Sequence, residues 1–190
     1  MIETTNPALA TIFTVGHSNR SLDRLIDLLH SHKIRQLIDV RSKPNSRHFP
    51  AFNRNSMSPA LEEEGIAYAW LGHELGGIRR GKPDSPHAAL ATDGFRGYAD
   101  HMSSATFQKG ILQLTGVARH TNTAIMCAER EPSQCHRSLI ADYLLLRQWQ
   151  VIHLLDLNIS QPHKLSALAR HQDQGLIYDQ LGQKQLDMGF

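Results

Sequence analysis

The segment that decides the fold is Thr123-Ala-Ile-Met-Cys-Ala-Glu-Arg-Glu-Pro-Ser-Gln-Cys-His-Arg137. Its first residues form an apolar run that ends in Cys127 and predicts a buried strand. A polar turn containing Glu129 and Arg130 follows, and the residues from Cys135 onward begin an apolar pattern at helical spacing. Such a junction of strand, turn and helix gathers thiol, carboxylate, imidazole and guanidinium groups in one place. We therefore expect the functional site of the protein to be centred here.

The rest of the chain repeats the alternation of strand and helix. The predicted strands are residues 11–15, 36–40, 66–71, 123–126 and 151–155. The predicted helices are residues 22–29, 52–64, 95–118, 135–149 and a short one near 164–171. This alternation favours a largely parallel sheet covered on both faces. The predicted class is α/β, a three-layer fold with a mainly parallel five-stranded sheet, Rossmann-like or flavodoxin-like but without a dinucleotide or Walker fingerprint.

Length and composition favour one globular domain spanning residues 1–190. The chain is 41% hydrophobic and 20% charged, and its formal charge of +2 exerts no general attraction for nucleic acid or membranes. Residues 11–155 form the predicted core, 76–97 a Gly-, Pro- and Arg-rich loop suited to a lid, and 156–190 a C-terminal extension. Only two cysteines are present, and no signal peptide or apolar run of about 18 residues is visible. These features predict a cytoplasmic protein without a membrane span.

Polar groups lie where four of the predicted strands end. These endings are Gly16-His17-Ser18, Asp39-Val40-Arg41, Gly72-His73-Glu74 and Cys127-Ala128-Glu129. In a parallel α/β sheet the carboxyl ends of the strands meet at one edge, where ligands bind. The sequence therefore predicts one composite site assembled from these four endings.

Taken in order, these motifs resemble the signature of the bacterial and archaeal DUF488 family. The resemblance rests on Gly16-His17-Ser18, on Asp39-Val40-Arg41 with Pro44 and Ser46, on Leu71-Gly72 with Leu75-Gly76-Gly77, and on Cys127-Ala-Glu with Cys135-His136-Arg137. It extends from about Thr11 to about Leu155. It implies a cytoplasmic α/β domain with this set of site residues, and it implies no substrate because the family is named for lacking an assigned function.

The predicted start of a helix at Cys135-His136-Arg137 suits an anion. A helix N-terminus presents unpaired N–H groups and a partial positive charge, and Arg137 could add bidentate hydrogen bonds to a phosphate or carboxylate. The same field would lower the pKa of Cys135 and make its thiolate a nucleophile. The alternative is structural: Cys135 is a small buried residue, and Arg137 pairs internally with Asp39 or Glu129.

Asp39, Glu129 and His17 are the candidate acid–base groups. Two carboxylates in one cleft can divide the roles of acid and base, or of nucleophile and stabiliser. His17, placed directly after a turn glycine, could transfer protons as a general acid or base. The alternative is a structural network in which Asp39 pairs with Arg41, Glu129 pairs with a neighbouring arginine, and His17 stabilises its turn.

A tetrahedral zinc site built from Cys127, Cys135, His136 and His17 is a further possibility. The two cysteines are eight positions apart. Cysteine pairs in structural zinc sites are usually separated by only roughly two to four residues. Zinc is therefore weakly indicated, and no other metal or cofactor is evident in the sequence.

The predicted function is that of an enzyme, a hydrolase or group transferase, acting on a phosphate-bearing substrate such as a nucleotide or a nucleic-acid component. The predicted catalytic residues are Glu129, Asp39, His17 and Cys135, and the predicted substrate-binding residues are Ser18, Arg41, Ser46, Gly76, Gly77, Cys127, His136 and Arg137. One alternative is a thiol- or metal-dependent enzyme using Cys127 and Cys135. Another is a non-catalytic nucleic-acid-binding module using the basic loops 41–54 and 76–97. The oligomeric state is left open.

Overall fold

The computed structural model describes residues 10–173 and 175–180, which adopt a mixed α/β architecture. The strands are β1 (Thr11–Gly16), β2 (Gln36–Asp39), β3 (Ala67–Trp70), β4 (Thr123–Cys127), β5 (Gln150–Asp156), β6 (Ile159–Pro162), β7 (Ala169–Gln172) and β8 (Gly175–Tyr178). The helices are α1 (Leu22–Ser31), α2 (Arg54–Glu63), α3 (Gly72–Leu75), α4 (Asp93–Met102), α5 (Ala105–Ala118) and α6 (Arg137–Leu146), with short 3₁₀ helices at Pro50–Phe52 and Pro132–Gln134. In the described ranges, no helix has the length and apolar character needed to cross a membrane.

The main sheet contains six strands in the order β3-β2-β4-β1-β5-β6. The five predicted strands are all present and run parallel, and β4 lies between β2 and β1 with Cys127 level with Gly16. The predicted number of five strands is wrong, because β6 adds an antiparallel edge strand beside β5. The residues of β6 are all exposed, so this strand lacks the alternation of apolar and polar residues that would reveal it in the sequence.

Two hydrophobic clusters pack against the sheet. Residues of α1 and α2 share one cluster with Ala124 and Met126 of β4. Residues of α4, α5 and α6 share the other cluster with Ile125 and Cys127. Because neighbouring residues of a strand point to opposite faces, the two clusters lie on opposite sides of the sheet. The prediction of an α/β fold with a mostly parallel sheet is confirmed.

The helix after β4 is shorter than the sequence predicted. It spans Arg137–Leu146, whereas the apolar pattern predicted residues 135–149. Pro132 begins a 3₁₀ helix, and Cys135 then adopts an extended conformation with φ −136° and ψ 142°, from which no helical turn continues. Cys135 therefore precedes α6, and His136 occupies the N-cap position.

The prediction of a helix near residues 164–171 is wrong. Ala169–Gln172 forms β7 instead, and it pairs antiparallel with β8. The register places Ala169 opposite Tyr178, whose side chain is fully buried. A short polar segment carries no local signal for this hairpin, because burial of Tyr178 depends on contacts with distant parts of the chain.

A buried chain of polar side chains fastens the C-terminal hairpin to the main sheet. The hydroxyl of Thr14 lies 2.7 Å from Nδ1 of His153, whose Nε2 lies 2.9 Å from Nδ1 of His163. Nε2 of His163 lies 2.8 Å from the carboxylate of Asp142, which also accepts a hydrogen bond from the Tyr178 hydroxyl at 3.0 Å. Strands β1, β5 and β8 are therefore linked through the side chain of Asp142 on α6.

Replacing His153 with glutamine tests whether this chain makes the fold sensitive to acid. Burial, with smaller effects of His163 and Arg137, lowers the pKa of His153 to about 3. The folded protein then binds fewer protons than the unfolded chain between about pH 6.5 and about pH 3. The contribution of His153 to stability is complete above this window and is lost as the pH falls through it, at roughly 1.4 kcal/mol per pH unit.

We expect urea unfolding of His153→Gln to show a pH dependence that is smaller than that of the wild type by about one proton. The variant His73→Gln removes an exposed histidine and should keep the wild-type pH dependence. Equal pH dependence in His153→Gln and the wild type would contradict this assignment.

Candidate functional site

Two adjoining cavities open at the carboxyl ends of β1, β2 and β4. The first, which we name the cysteine lobe, has a volume of about 440 Å³ and is lined by Arg41, Ser42, Lys43, Gly77, Ile78, Thr92, Gly94, Phe95, Cys127, Ala128, Glu129, Gln134, Cys135 and His136. The second, the histidine lobe, has a volume of about 540 Å³ and is lined by His17, Ser18, Asn19, Arg41, Lys43, Asn45, Ser46, Phe49, Ala128 and Glu129. The lobes share Arg41, Lys43, Ala128 and Glu129, so together they form one cleft.

Cys127, Cys135 and His136 form a tight group in the cysteine lobe. Nδ1 of His136 lies 3.8 Å from Sγ of Cys127 and 3.7 Å from Sγ of Cys135. The three donor atoms all lie within 4.8 Å of one another. Both cysteines are free thiols and are buried, while His136 is half-buried. Two soft sulfur atoms and an imidazole nitrogen therefore converge at the wall of a cavity.

The imidazole of His136 is fixed in orientation by its surroundings. Its Nε2 lies 3.2 Å from the carbonyl oxygen of Val40, which can only accept a hydrogen bond, so the ring carries its proton on Nε2. In the neutral ring, Nδ1 then carries the lone pair, and this atom lies beside the two thiols. The ring also packs against Tyr98, with centroids 4.9 Å apart. At Gly77 a Cβ would lie 2.3 Å from Nδ1, so only glycine lets the backbone approach the ring this closely.

The two thiols share their protons unequally. A hydrogen bond from Cys127 lowers the pKa of Cys135 well below its usual value, with further help from His136 and Arg137. The same pairing, together with burial, raises the pKa of Cys127. The pair therefore accommodates one negative charge more readily than two.

Arg137 does not face the cleft. Its side chain is 1% exposed, and its guanidinium donates to the backbone carbonyls of Glu129 and Arg130. This geometry does not support the expected role in holding an anion, and it also differs from the expected pairing with the Asp39 or Glu129 carboxylate. Arg137 instead fixes the backbone of the loop between β4 and α6.

Asp39 forms a buried ion pair with Arg41. Nε and Nη2 of Arg41 lie 2.9 Å and 2.6 Å from the Asp39 carboxylate, which is fully buried. The hydroxyl of Tyr68 donates to the same carboxylate at 2.8 Å. This geometry, in which the oxygens of Asp39 are occupied, does not support its expected role as base or nucleophile. The structural network considered in the sequence analysis is the arrangement observed for this pair.

His17 is also part of this network. Its Nδ1 lies 2.9 Å from the carbonyl oxygen of Ser18, and its Nε2 lies 3.3 Å from Nη1 of Arg41. The ring stacks on Phe52 with centroids 4.3 Å apart. Burial and then the charge of Arg41 lower the pKa of His17 to about 4. A neutral ring with both nitrogens engaged positions Arg41, and this geometry does not support the expected role as general acid or base.

The remaining expected residues divide between the cleft and its support. Glu129 is exposed and lines both lobes, and Ser18 and Ser46 line the histidine lobe. Gly76 lines neither lobe. It supports the backbone packing nearby, since a Cβ there would lie 2.1 Å from the carbonyl oxygen of Gly72. The strand ending Gly72-His73-Glu74 also lies outside both lobes, since these residues begin α3.

Several contributors to the cleft were not selected from the sequence as site residues, and three of them bear on its chemistry. Lys43 lines both lobes, Phe95 lines the cysteine lobe, and Tyr98 packs on His136. Lys43 belongs to the basic stretch after β2, and its position two residues beyond Arg41 is the signal that could have identified it. Phe95 and Tyr98 lie on α4 within an ordinary apolar pattern, so only the tertiary structure shows that they approach the cluster.

Comparison with known proteins gives one match. A family model described as "Domain of unknown function DUF488" matches residues 21–144, which is more than half of the chain. The matched span contains Cys127, Cys135 and His136, while His17 and Ser18 lie just before it. Neither the curated proteins nor the solved structures contain a significant match.

The variant Arg137→Met tests whether the buried guanidinium holds the loop between β4 and α6. It leaves the carbonyls of Glu129 and Arg130 without their donor, so we expect unfolding free energy to fall by roughly 3 kcal/mol. Arg130→Met is the matched control, because Arg130 is half-exposed and pairs with Asp156 at 3.4 Å on the surface. It should cost less than about 1 kcal/mol in urea unfolding. Equal losses in the two variants would show that Arg137 has no special structural role.

Proposed function

Because the chain belongs to the DUF488 family, whose description assigns no function, we propose a function from the cleft itself. The protein is an enzyme, a hydrolase or group transferase, and its substrate is a small phosphate-bearing molecule. The observation that carries this proposal is the grouping of Cys127, Cys135 and His136 in a cavity whose lining also includes the exposed Lys43. A reactive cluster and a charge that can hold an anion thus share one concave site.

Lys43 is the residue best placed to bind the phosphate group. It lines both lobes, is exposed, and makes no ion pair with any residue of the described ranges. The charge of Arg41, by contrast, is balanced by Asp39. A lysine ammonium binds phosphate as a point charge with three donors. The carboxylate of Glu129 on the same cleft makes a long polyanion a poor fit, which favours a small substrate over nucleic acid.

The size of the cleft and its aromatic residues support a nucleotide among phosphate-bearing molecules. The lobes measure about 440 Å³ and about 540 Å³, within the usual range for small-molecule sites. Phe49 in the histidine lobe is 39% exposed, and Phe95 lines the cysteine lobe. An exposed aromatic ring offers a stacking surface for a base.

The proposed chemical roles follow from which groups are not already engaged in internal hydrogen bonds or ion pairs. The cluster of Cys127, Cys135 and His136 supplies the reacting centre. Glu129 lines the same lobe and is exposed to solvent, so it serves as the general acid or base. Asp39 and His17 support Arg41 and take no part in proton transfer in this proposal.

The loop 76–97 acts as a lid in the proposed enzyme. Gly77, Ile78 and Thr92 belong to this loop and line the cysteine lobe, as do Gly94 and Phe95 at the start of α4, which supports such a role. We retain the three-layer, Rossmann-like class and a single domain as proposals, supported by packing of helices against both faces of the sheet. Free thiols at the site favour the reducing cytoplasm as the compartment.

Binding of phosphorylated and dephosphorylated compounds to Lys43→Met tests the substrate class. Nucleoside monophosphates and sugar phosphates should raise the melting temperature of the wild type, while the corresponding nucleosides and sugars should not. Loss of a charge-assisted hydrogen bond should weaken phosphate binding by roughly 10- to 100-fold in Lys43→Met. Arg47→Met removes an exposed cation from the same loop that lines neither lobe, and it should bind as the wild type does.

The variant Glu129→Gln distinguishes the role of Glu129 in substrate binding from its role in turnover. We expect wild-type affinity and a rate lower by at least about 100-fold, measured by phosphate release or product chromatography. Equal binding of phosphorylated and dephosphorylated compounds would contradict the substrate class. Tight, strongly salt-dependent binding of oligonucleotides that tolerates Glu129→Gln would instead support a nucleic-acid-binding module.

A further inference from the structure

We infer that Cys127, Cys135 and His136 bind a single zinc ion whose fourth coordination position opens into the cysteine lobe. This inference rests on the proposed function, because it names the cofactor of the same site. The sequence alone indicated zinc only weakly, through four candidate ligands. The structure brings three of these four together, and His17 is not among them.

The distances between the donor atoms suit a tetrahedral metal. Zinc–sulfur bonds of about 2.3 Å and zinc–nitrogen bonds of about 2.05 Å, at a tetrahedral angle, separate sulfur from nitrogen by about 3.6 Å. Nδ1 of His136 lies 3.8 Å from Sγ of Cys127 and 3.7 Å from Sγ of Cys135. Both sulfur–nitrogen separations therefore match those of a zinc tetrahedron to within about 0.2 Å, and all three donor atoms lie within 4.8 Å of one another.

The surroundings of His136 are those of a metal ligand. A ligating histidine usually donates its other ring N–H to a carboxylate or backbone carbonyl, which fixes the tautomer and the ring plane. Here Nε2 lies 3.2 Å from the carbonyl oxygen of Val40, so the lone pair of Nδ1 points at the cysteines. Gly77 and Tyr98 contact the ring and hold it in this orientation. The ligand is thus preorganised before any ion binds.

The number of ligands indicates a catalytic rather than a structural site. In the described part of the chain, no fourth histidine, cysteine or carboxylate joins the group. Structural zinc sites have four protein ligands, whereas catalytic sites combine three with a water or substrate, and two cysteines with one histidine is an established catalytic set. The spacing of eight positions fits this view, because the short cysteine spacing is a property of structural sites.

The open position faces groups that could use a bound metal. The three ligands line the cysteine lobe together with Lys43 and Glu129. A zinc ion there would polarise a water molecule or a phosphoryl oxygen of the substrate. Lys43 would hold the rest of the phosphate group, and Glu129 would exchange a proton with the polarised water.

Zinc stoichiometry of the reduced full-length protein tests the inference. After dialysis against zinc and removal of unbound metal, elemental analysis should find one tightly held ion per chain. Cys127→Ser, Cys135→Ser and His136→Asn should each weaken zinc binding by at least about 100-fold, since each removes one of three ligands. His73→Asn, which removes an exposed histidine, should bind zinc as the wild type does.

Thiol labelling of the wild type provides a second measurement that needs no variant. Zinc should protect both Cys127 and Cys135 from alkylation, and a chelator should restore their reactivity. If the folded wild type holds no stoichiometric zinc, and if one thiol is alkylated rapidly even when zinc is added, the metal site is overturned. The cluster would then contain a free thiol nucleophile. Unchanged zinc binding in Cys135→Ser would overturn it as well.

The two proposals fail in different ways. Phosphate-dependent binding and undiminished turnover in protein stripped of zinc by a chelator would overturn the metal site while leaving the proposed function intact. Stoichiometric zinc on the three ligands, with no phosphate-bearing ligand found, would support the metal site and remove the proposed substrate class.

Discussion

The geometry of the cleft depends on how the loop between β4 and α6 is held. On one side, the backbone amides of His17 and Ser18 donate to the carbonyls of Cys127 and Ala128 at 3.0 Å and 2.8 Å. Gly16 permits this contact, because a Cβ there would lie 1.8 Å from the carbonyl oxygen of Glu129. On the other side, the buried Arg137 donates to two carbonyls of the loop. The loop must therefore fold back on itself, and this return is what brings the two cysteines together across eight positions of sequence.

The charged groups of the site fall into two classes with different tasks. Arg41 and Arg137 are buried, and their guanidinium groups donate to internal partners: Arg41 to the Asp39 carboxylate, and Arg137 to the carbonyls of Glu129 and Arg130, although its Nε has no partner among the described residues. His17 belongs with them, since burial and the charge of Arg41 hold it neutral. Lys43 and Glu129 are exposed at the same cleft, where a ligand could reach both charged groups. At this cleft the exposed Lys43, rather than the paired Arg41, is the cation most open to an anionic ligand.

Sequence reasoning located the cleft because parallel strands place their carboxyl ends at one edge, and the endings of β1, β2 and β4 do meet there. It missed β6 and the hairpin of β7 and β8, since these strands are short and largely polar, and long-range contacts rather than local pattern determine them. It could not distinguish the two roles considered for Arg137, because an arginine that donates to backbone carbonyls and one that binds phosphate look the same in sequence. The contact between Tyr98 and His136 spans 38 positions and has no local signal.

The proposed zinc site would combine ligands from the end of a strand and the start of a helix and leave one coordination position open. Diffraction data collected on either side of the zinc absorption edge, from crystals grown with zinc, would test it most directly. We expect one anomalous peak bonded to Sγ of Cys127, Sγ of Cys135 and Nδ1 of His136, with a fourth ligand that is water or substrate in the cysteine lobe. No peak at these atoms, or a peak whose fourth ligand is a protein side chain, would contradict it.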